Sequence, residues 1–243
     1  MAARHPDDSR RGCARPTIKR MGTLYLVRHG QASFGAADYD QLSDLGARQC
    51  HALGAWMAAR GLAFQGVLRG TLRRHVQSLD ALAEGYATPL PEALAWPGLN
   101  EYDSEALIRT VHAGKLQAPD TPEIYRAHFR LLRDALTRWM AGEVHPVGMP
   151  SWAEFRDGVA SALEHVRRTH NGDVLLISSG GPISTAVVQV MGAPGPSMVE
   201  LNLRLRNSAV SEFAFTPKRM VLNTFNHLPH LEAVDRAGWI TYT

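Results

Sequence analysis

Two short stretches of the sequence hold residue types that could do chemistry. In VRHG, Val27 to Gly30, a guanidinium stands beside an imidazole at the end of an apolar run. Arginine offers a planar fork to phosphate oxygens, and a neutral histidine can attack phosphorus. In GDVLLISSGGPIST, residues 172 to 185, a second apolar run stops in two serines, two glycines and a proline. A strand turning sharply into a helix leaves backbone N–H groups pointing outward at the helix start, which suits an anion. Taken singly, an Arg-His-Gly is usually a surface turn and a glycine-rich turn a plain connection. Their shared context changes the reading. Both leave the carboxyl end of a buried-type strand, the edge at which open α/β sheets bind ligands.

The elements that must hold these turns alternate along the chain. TLYLV (23–27) reads as a strand and leads into the polar loop RHGQASFGAADYD. Ser43 can cap a helix that runs through DLGARQCHALGAWMAAR to Gly61, with Leu45, Gln49, Leu53 and Trp56 on one stripe. A short strand around Val67 and Leu68 follows, and TLRRHVQSLDALAEG predicts a helix ending at Gly85. After the Pro-rich connection TPLPEALAWPGLNEYD the alternation stops. Residues 104–145 hold helix-like stretches, chiefly TPEIYRAHFRLLRDALTRWMAG, and read as a helical insertion serving as a lid. SWAE at Ser151 has capping-box form, and Trp152, Phe155, Val159 and Val166 recur at helical spacing as core. Asp173 to Ile177 predicts a strand, Pro182 the first helical residue, and Gly192 that helix's stop. NSAVSEFAFTPKRMVLNTFN predicts a hairpin on the sheet edge. The pattern is that of an α/β protein, a three-layer sandwich with a mainly parallel sheet and helices on both faces. Residues 22–243 form one such domain.

Composition sets the limits. The chain has 243 residues, 45% hydrophobic and 20% charged, with a formal net charge of +3. Six of its 26 basic and two of its 23 acidic residues lie in the first twenty positions, leaving 20 against 21 in the rest. The body is near neutral, so no nucleic-acid or membrane partner is expected. Residues 1–21 read as a disordered basic tail without a secretory signal, and Met21 is a candidate translation start. Cys13 and Cys50 form no metal or redox pair, which makes a reduced cytoplasmic setting the expectation.

Five ordered segments resemble the histidine phosphatase superfamily, the phosphoglycerate mutase-like proteins. LYLVRHGQAS is similar to its opening strand and catalytic loop, and LSDLGARQCHALG to its first helix. GTLRRHVQS resembles its SxLxRAxQT segment, aligning Arg74, Gln77 and Ser78. LNEYD occupies the place of its acidic residue, and NHLPHL resembles its ending. The resemblance implies a phosphatase that hydrolyses a small phosphomonoester through a phosphohistidine on His29. It makes Glu101 the acid and base, Arg28, Arg74, Ser179 and Gly180 the phosphate-binding groups, and it requires no metal or other cofactor.

This chain departs from the pattern at two places. Ala32 and Gly35 stand where the family has hydroxyl and amide residues, leaving phosphate contacts absent or supplied by Ser33. SSGG replaces SHGG, so Ser179 occupies the position of the second pocket histidine. Losing one preorganised donor costs about 2.7 to 4 kcal/mol, roughly a hundred- to thousandfold in rate, and activity is expected to be reduced. Alternatively His75 fills the vacant space as donor. Two other functions compete: phosphoglycerate mutase-type transfer, disfavoured by the short segment between Glu101 and Ser151, and a pseudo-enzyme that only binds phosphorylated ligands. In the insertion, His112, Lys115, Tyr125 and His128 are candidate substrate contacts.

Overall fold

The structure, a computed structural model, describes residues 21–33, 40–114 and 121–242. The predicted tail (residues 1–20), Gly35, Lys115 and the side chain of Tyr125 lie outside the described residues. One sheet forms from β1 (Gly22–Arg28), β2 (Phe64–Arg69), β3 (Ala93–Ala95), β4 (Asp173–Ser178), β5 (Val210–Thr216) and β6 (Arg219–His227). Their spatial order is β3-β2-β4-β1-β5-β6. The first four strands run parallel, β5 runs antiparallel to β1, and β6 antiparallel to β5. The last two are the predicted hairpin.

The central strands are apolar on both sides because both sides are covered. Leu24, Leu26, Val174 and Leu176 face one core with Val159, Leu163, Val166 and Ile183. Tyr25, Val27, Leu175 and Ile177 face the other with Leu53, Met57, Leu82 and Tyr86. The first core belongs to α5 (Trp152–Thr169) and α6 (Gly180–Met191), the second to α1 (Asp44–Ala59) and α2 (Arg73–Tyr86). Ser43 caps α1 by accepting from Gly46 N–H, and the predicted capping box at Ser151 is complete.

Three elements differ from the sequence reading. The predicted Pro-rich connection contains β3, whose three residues pair with Val67 to Arg69. α7 (Ser197–Asn202) follows α6. Helix α6 begins at Gly180 rather than at Pro182, since the first-turn N–H groups lack intrahelical partners and a proline there forfeits no bond. The insertion forms α3 (Ser104–Val111) and α4 (Pro122–Met140). Leu107, Ile108, Leu132, Leu136 and Trp139 pack with Phe155, Val188, Met198 and Val199, which anchors the insertion on α5, α6 and α7.

Candidate active site

All four parallel strands deliver a residue to the same end of the sheet. Arg28 pairs with Ser178 in register, and His29 N–H donates to Ser178 O at 2.9 Å, so the turns after β1 and β4 are adjacent. Gly70 N–H donates to Ile177 O at 3.1 Å, bringing in the turn that opens α2 and carries Arg74 and His75. Trp96 N–H donates to Arg69 O at 2.8 Å, which ties in the segment leading to Glu101.

His29 is 3% exposed. Its Nδ1 lies 2.7 Å from Gly30 O. A carbonyl can only accept, so the proton sits on Nδ1 and the lone pair on Nε2. Burial holds its pKa well below the ordinary 6.5, with Arg74, Arg28 and His75 pushing the same way and the Gly30 bond opposing. The result is a neutral imidazole of fixed tautomer. Its backbone is pinned as well: His29 O accepts from Ser208 N–H at 3.1 Å and from Asn207 Nδ2 at 3.4 Å.

The loop behind His29 is held by motif residues. Gly30 N–H donates to Ser78 Oγ, which donates to Arg74 O, and Gln77 Oε1 accepts from Leu42 N–H. Gly30 is required by proximity, since a Cβ there would lie 2.3 Å from Gly46 O. Ser33 donates to Leu42 O at 3.0 Å and thereby closes the loop.

Two guanidiniums flank the histidine. Arg28 Nη1 donates to Leu205 O and, at 3.2 Å, to Tyr242 O. Arg74 Nη1 donates to Asp40 Oδ1 at 2.8 Å. Asp40 also accepts from the backbone N–H groups of Arg73 and Arg74, so it caps α2, whose own N-cap residue Leu72 has no side chain able to do so. The Glu101 carboxylate takes the same role at α6, with Gly181 N–H 3.1 and 3.0 Å from its two oxygens. Burial raises the Glu101 pKa, opposed by the Gly181 bond, Arg74 and Arg28. A Cβ on Gly180 would lie 2.1 Å from Asn202 Oδ1, and one on Gly181 would lie 2.2 Å from Glu101 Oε1. The two glycines thus let Glu101 and Asn202 approach the turn.

The structure therefore brings Arg28, His29, Arg74, Glu101, Ser179 and Gly180 together at one end of the sheet, with His75 among them. The His29 and His75 ring centroids are 5.8 Å apart, and His75 Nε2 lies 2.7 Å from Ser179 Oγ. His112 follows α3, and the half-buried His128 has its pKa lowered by burial, with Glu105 opposing. Asp40, Asn202, Asn207 and Tyr242 carry no motif and were not expected. Only Asp40 had a local signal, an acidic residue in the polar loop leaving β1. Among the described residues no group of three or more His, Cys, Asp or Glu side chains could hold a metal ion, and no helix is long and apolar enough to cross a membrane.

The chain is 24% identical over 225 residues to a metal-independent phosphoserine phosphatase of Arabidopsis thaliana, covering 87% of this chain and 84% of the relative. A phosphoserine phosphatase of Entamoeba histolytica solved with 3-phosphoglyceric acid superposes with a TM-score of 0.59 at 20% identity, covering 87% of this chain and all of that one. A phosphoglycerate mutase of Bacillus anthracis does so with a TM-score of 0.59 at 15% identity, covering 87% and 95%. Residues 24–228 match the model of the histidine phosphatase superfamily (branch 1), and the chain belongs to that family.

Proposed function

We propose that the protein is a phosphomonoesterase that passes the phosphoryl group of a small phosphate ester to His29 Nε2 and then to water. The observation that carries this reading is the Nδ1 contact to Gly30 O, which leaves a neutral lone pair on Nε2 between two guanidiniums. In the first step Nε2 attacks phosphorus, the ester P–O bond breaks, and Glu101 donates a proton to the departing oxygen. In the second, water gives its proton to the Glu101 carboxylate as its oxygen attacks phosphorus, and the N–P bond breaks to release inorganic phosphate. The raised pKa of Glu101 suits the donating role. Arg28 and Arg74 hold the non-bridging oxygens, over which charge spreads during transfer. Backbone N–H groups of the α6 start and the Ser179 hydroxyl add donors.

The names of a sequence relative and of a solved neighbour make phosphoserine the first substrate to try, with 3-phosphoglyceric acid, bound in that neighbour, beside it. A panel of such esters should release phosphate with the wild-type protein and not with His29→Ala. Acid-labile phosphate should be trapped on the wild type alone, and a coupled mutase assay should stay silent. Unchanged phosphate release by His29→Ala would sink the mechanism.

A further inference from the structure

The strand-to-helix turn at Ser179 contains an arrangement that the reaction so far leaves unused. Ser179 is the N-cap residue of α6, yet its hydroxyl makes no cap bond to the helix. Glu101 takes that place at Gly181 N–H. The freed hydroxyl lies instead 2.7 Å from His75 Nε2. His75 is fully buried, and its Nδ1 has no hydrogen-bond partner. That nitrogen faces Gly70, where a Cβ would come within 2.2 Å of it.

These contacts fix the direction of the bond. A buried N–H without an acceptor is rarer and costlier than an unshared lone pair. The proton of neutral His75 therefore sits on Nε2 and is donated to Ser179 Oγ. Neutrality follows from burial, with Arg74 and Arg69 adding to it, which together bring the pKa to about 3. With one lone pair of Oγ occupied, the Ser179 hydroxyl proton must seek another acceptor. We propose that His75 is a positioning residue that orients the Ser179 O–H toward a non-bridging oxygen of the transferring phosphoryl group. The donation into Oγ also polarises that O–H, as in any hydrogen-bonded chain.

The inference rests on the phosphoryl-transfer reading, and orthovanadate separates the two because it binds without turnover. Vanadate affinity, measured by calorimetry, should fall about 10- to 100-fold in Ser179→Ala, the range for one hydrogen bond to a charged group. His75→Leu should lose a similar factor, and the double variant no more than either single one. His75→Gln, whose amide N–H reaches the Nε2 position, should recover most of the affinity. Thermal melting identifies a His75→Leu protein that fails to fold, in which case the His75→Gln and Ser179→Ala pair decides. Additive losses, or full affinity in His75→Leu, would overturn the relay. Trapping of acid-labile phosphate on the wild type tests the reaction itself.

Discussion

At the scale of single residues, the contact between His75 and Ser179 makes an unusual demand on any attempt to rebuild the pocket. In this contact the large residue, His75, is on α2 and the small one, Ser179, is in the turn. Ser179→His alone must place a second imidazole where the His75 ring already lies 2.7 Å from Oγ. We expect that variant to lose activity and stability, with overpacking costing about 1–3 kcal/mol. His75→Ala with Ser179→His should exceed both single variants in turnover on an aryl phosphate; a double variant as poor as the worse single one would show that the two positions do not exchange. Glu101 gives a second test. Glu101→Gln cannot protonate a leaving oxygen, so it should cost about a hundred- to ten-thousandfold on an alkyl phosphate. It should cost far less on an aryl phosphate, whose leaving group needs no proton. Wild-type activity on the alkyl ester should fall as pH rises through the raised Glu101 pKa. On the acid side it should persist well below 6.5, because His29 resists protonation. A Glu101→Gln profile with the same alkaline limb would remove Glu101 from that role. His29, Arg74 and Glu101 were legible in the sequence because each sits in a short motif. Asn202 was not, because it reaches the site through tertiary contacts that no local pattern encodes, and Asp40 showed only as an acidic residue in the polar loop after β1.

At the scale of elements, backbone is packed on backbone around the site. A Cβ on Gly46 would stand 2.2 Å from Gln31 O, one on Gly54 2.0 Å from Leu82 O, and one on Gly85 2.0 Å from His51 O. Helix α1 is thus pressed against the His29 loop at its first turn and against α2 further along. Gly46→Ala and Gly85→Ala should each destabilise the fold by about 1–3 kcal/mol, since the obstructing atoms are backbone and cannot rotate away. Only Gly46→Ala displaces the loop whose Gly30 carbonyl fixes the His29 tautomer, so it should also lower kcat. Urea unfolding and kcat measured on both variants check this, and an equal loss of kcat in Gly85→Ala would refute it. Periodicity revealed α1, α2 and α5 by their long apolar faces, and short apolar runs revealed β1, β2 and β4. It missed β3, whose three residues are too few to show a period. It misplaced the α6 start because a proline in the first turn resembles a first helical residue.

At the scale of the whole molecule, the buried histidines tie the site to stability. His230, 3% exposed, lies 2.9 Å through Nε2 from Ser208 Oγ. Ser208, held at a φ of 57°, donates its N–H to His29 O. The C-terminal segment therefore supports His29 through a strained residue. His75 and His230 both have their pKa lowered to about 3, each first by burial and then by nearby positive groups. Neither takes up a proton in the fold above that value, whereas in the unfolded chain each does so near 6.5. The unfolded state thus binds more protons below pH 6.5, and stability falls as pH drops from 6.5 toward 3, at about 1.4 kcal/mol per pH unit for each group. His29, lowered in the same direction, adds to the slope. Glu101, raised, opposes it by staying protonated in the fold where the unfolded carboxyl is ionised. Urea unfolding between pH 7.5 and 5 isolates this effect from carboxylates that titrate normally. The unfolding free energy should be level near pH 7.5 and decline below 6.5. His230→Gln, which cannot titrate, should be less stable at pH 7.5 and yet decline less steeply, by about 1.4 kcal/mol per unit. Parallel declines in the two proteins would mean that His230 takes up a proton in the fold as readily as in the unfolded chain.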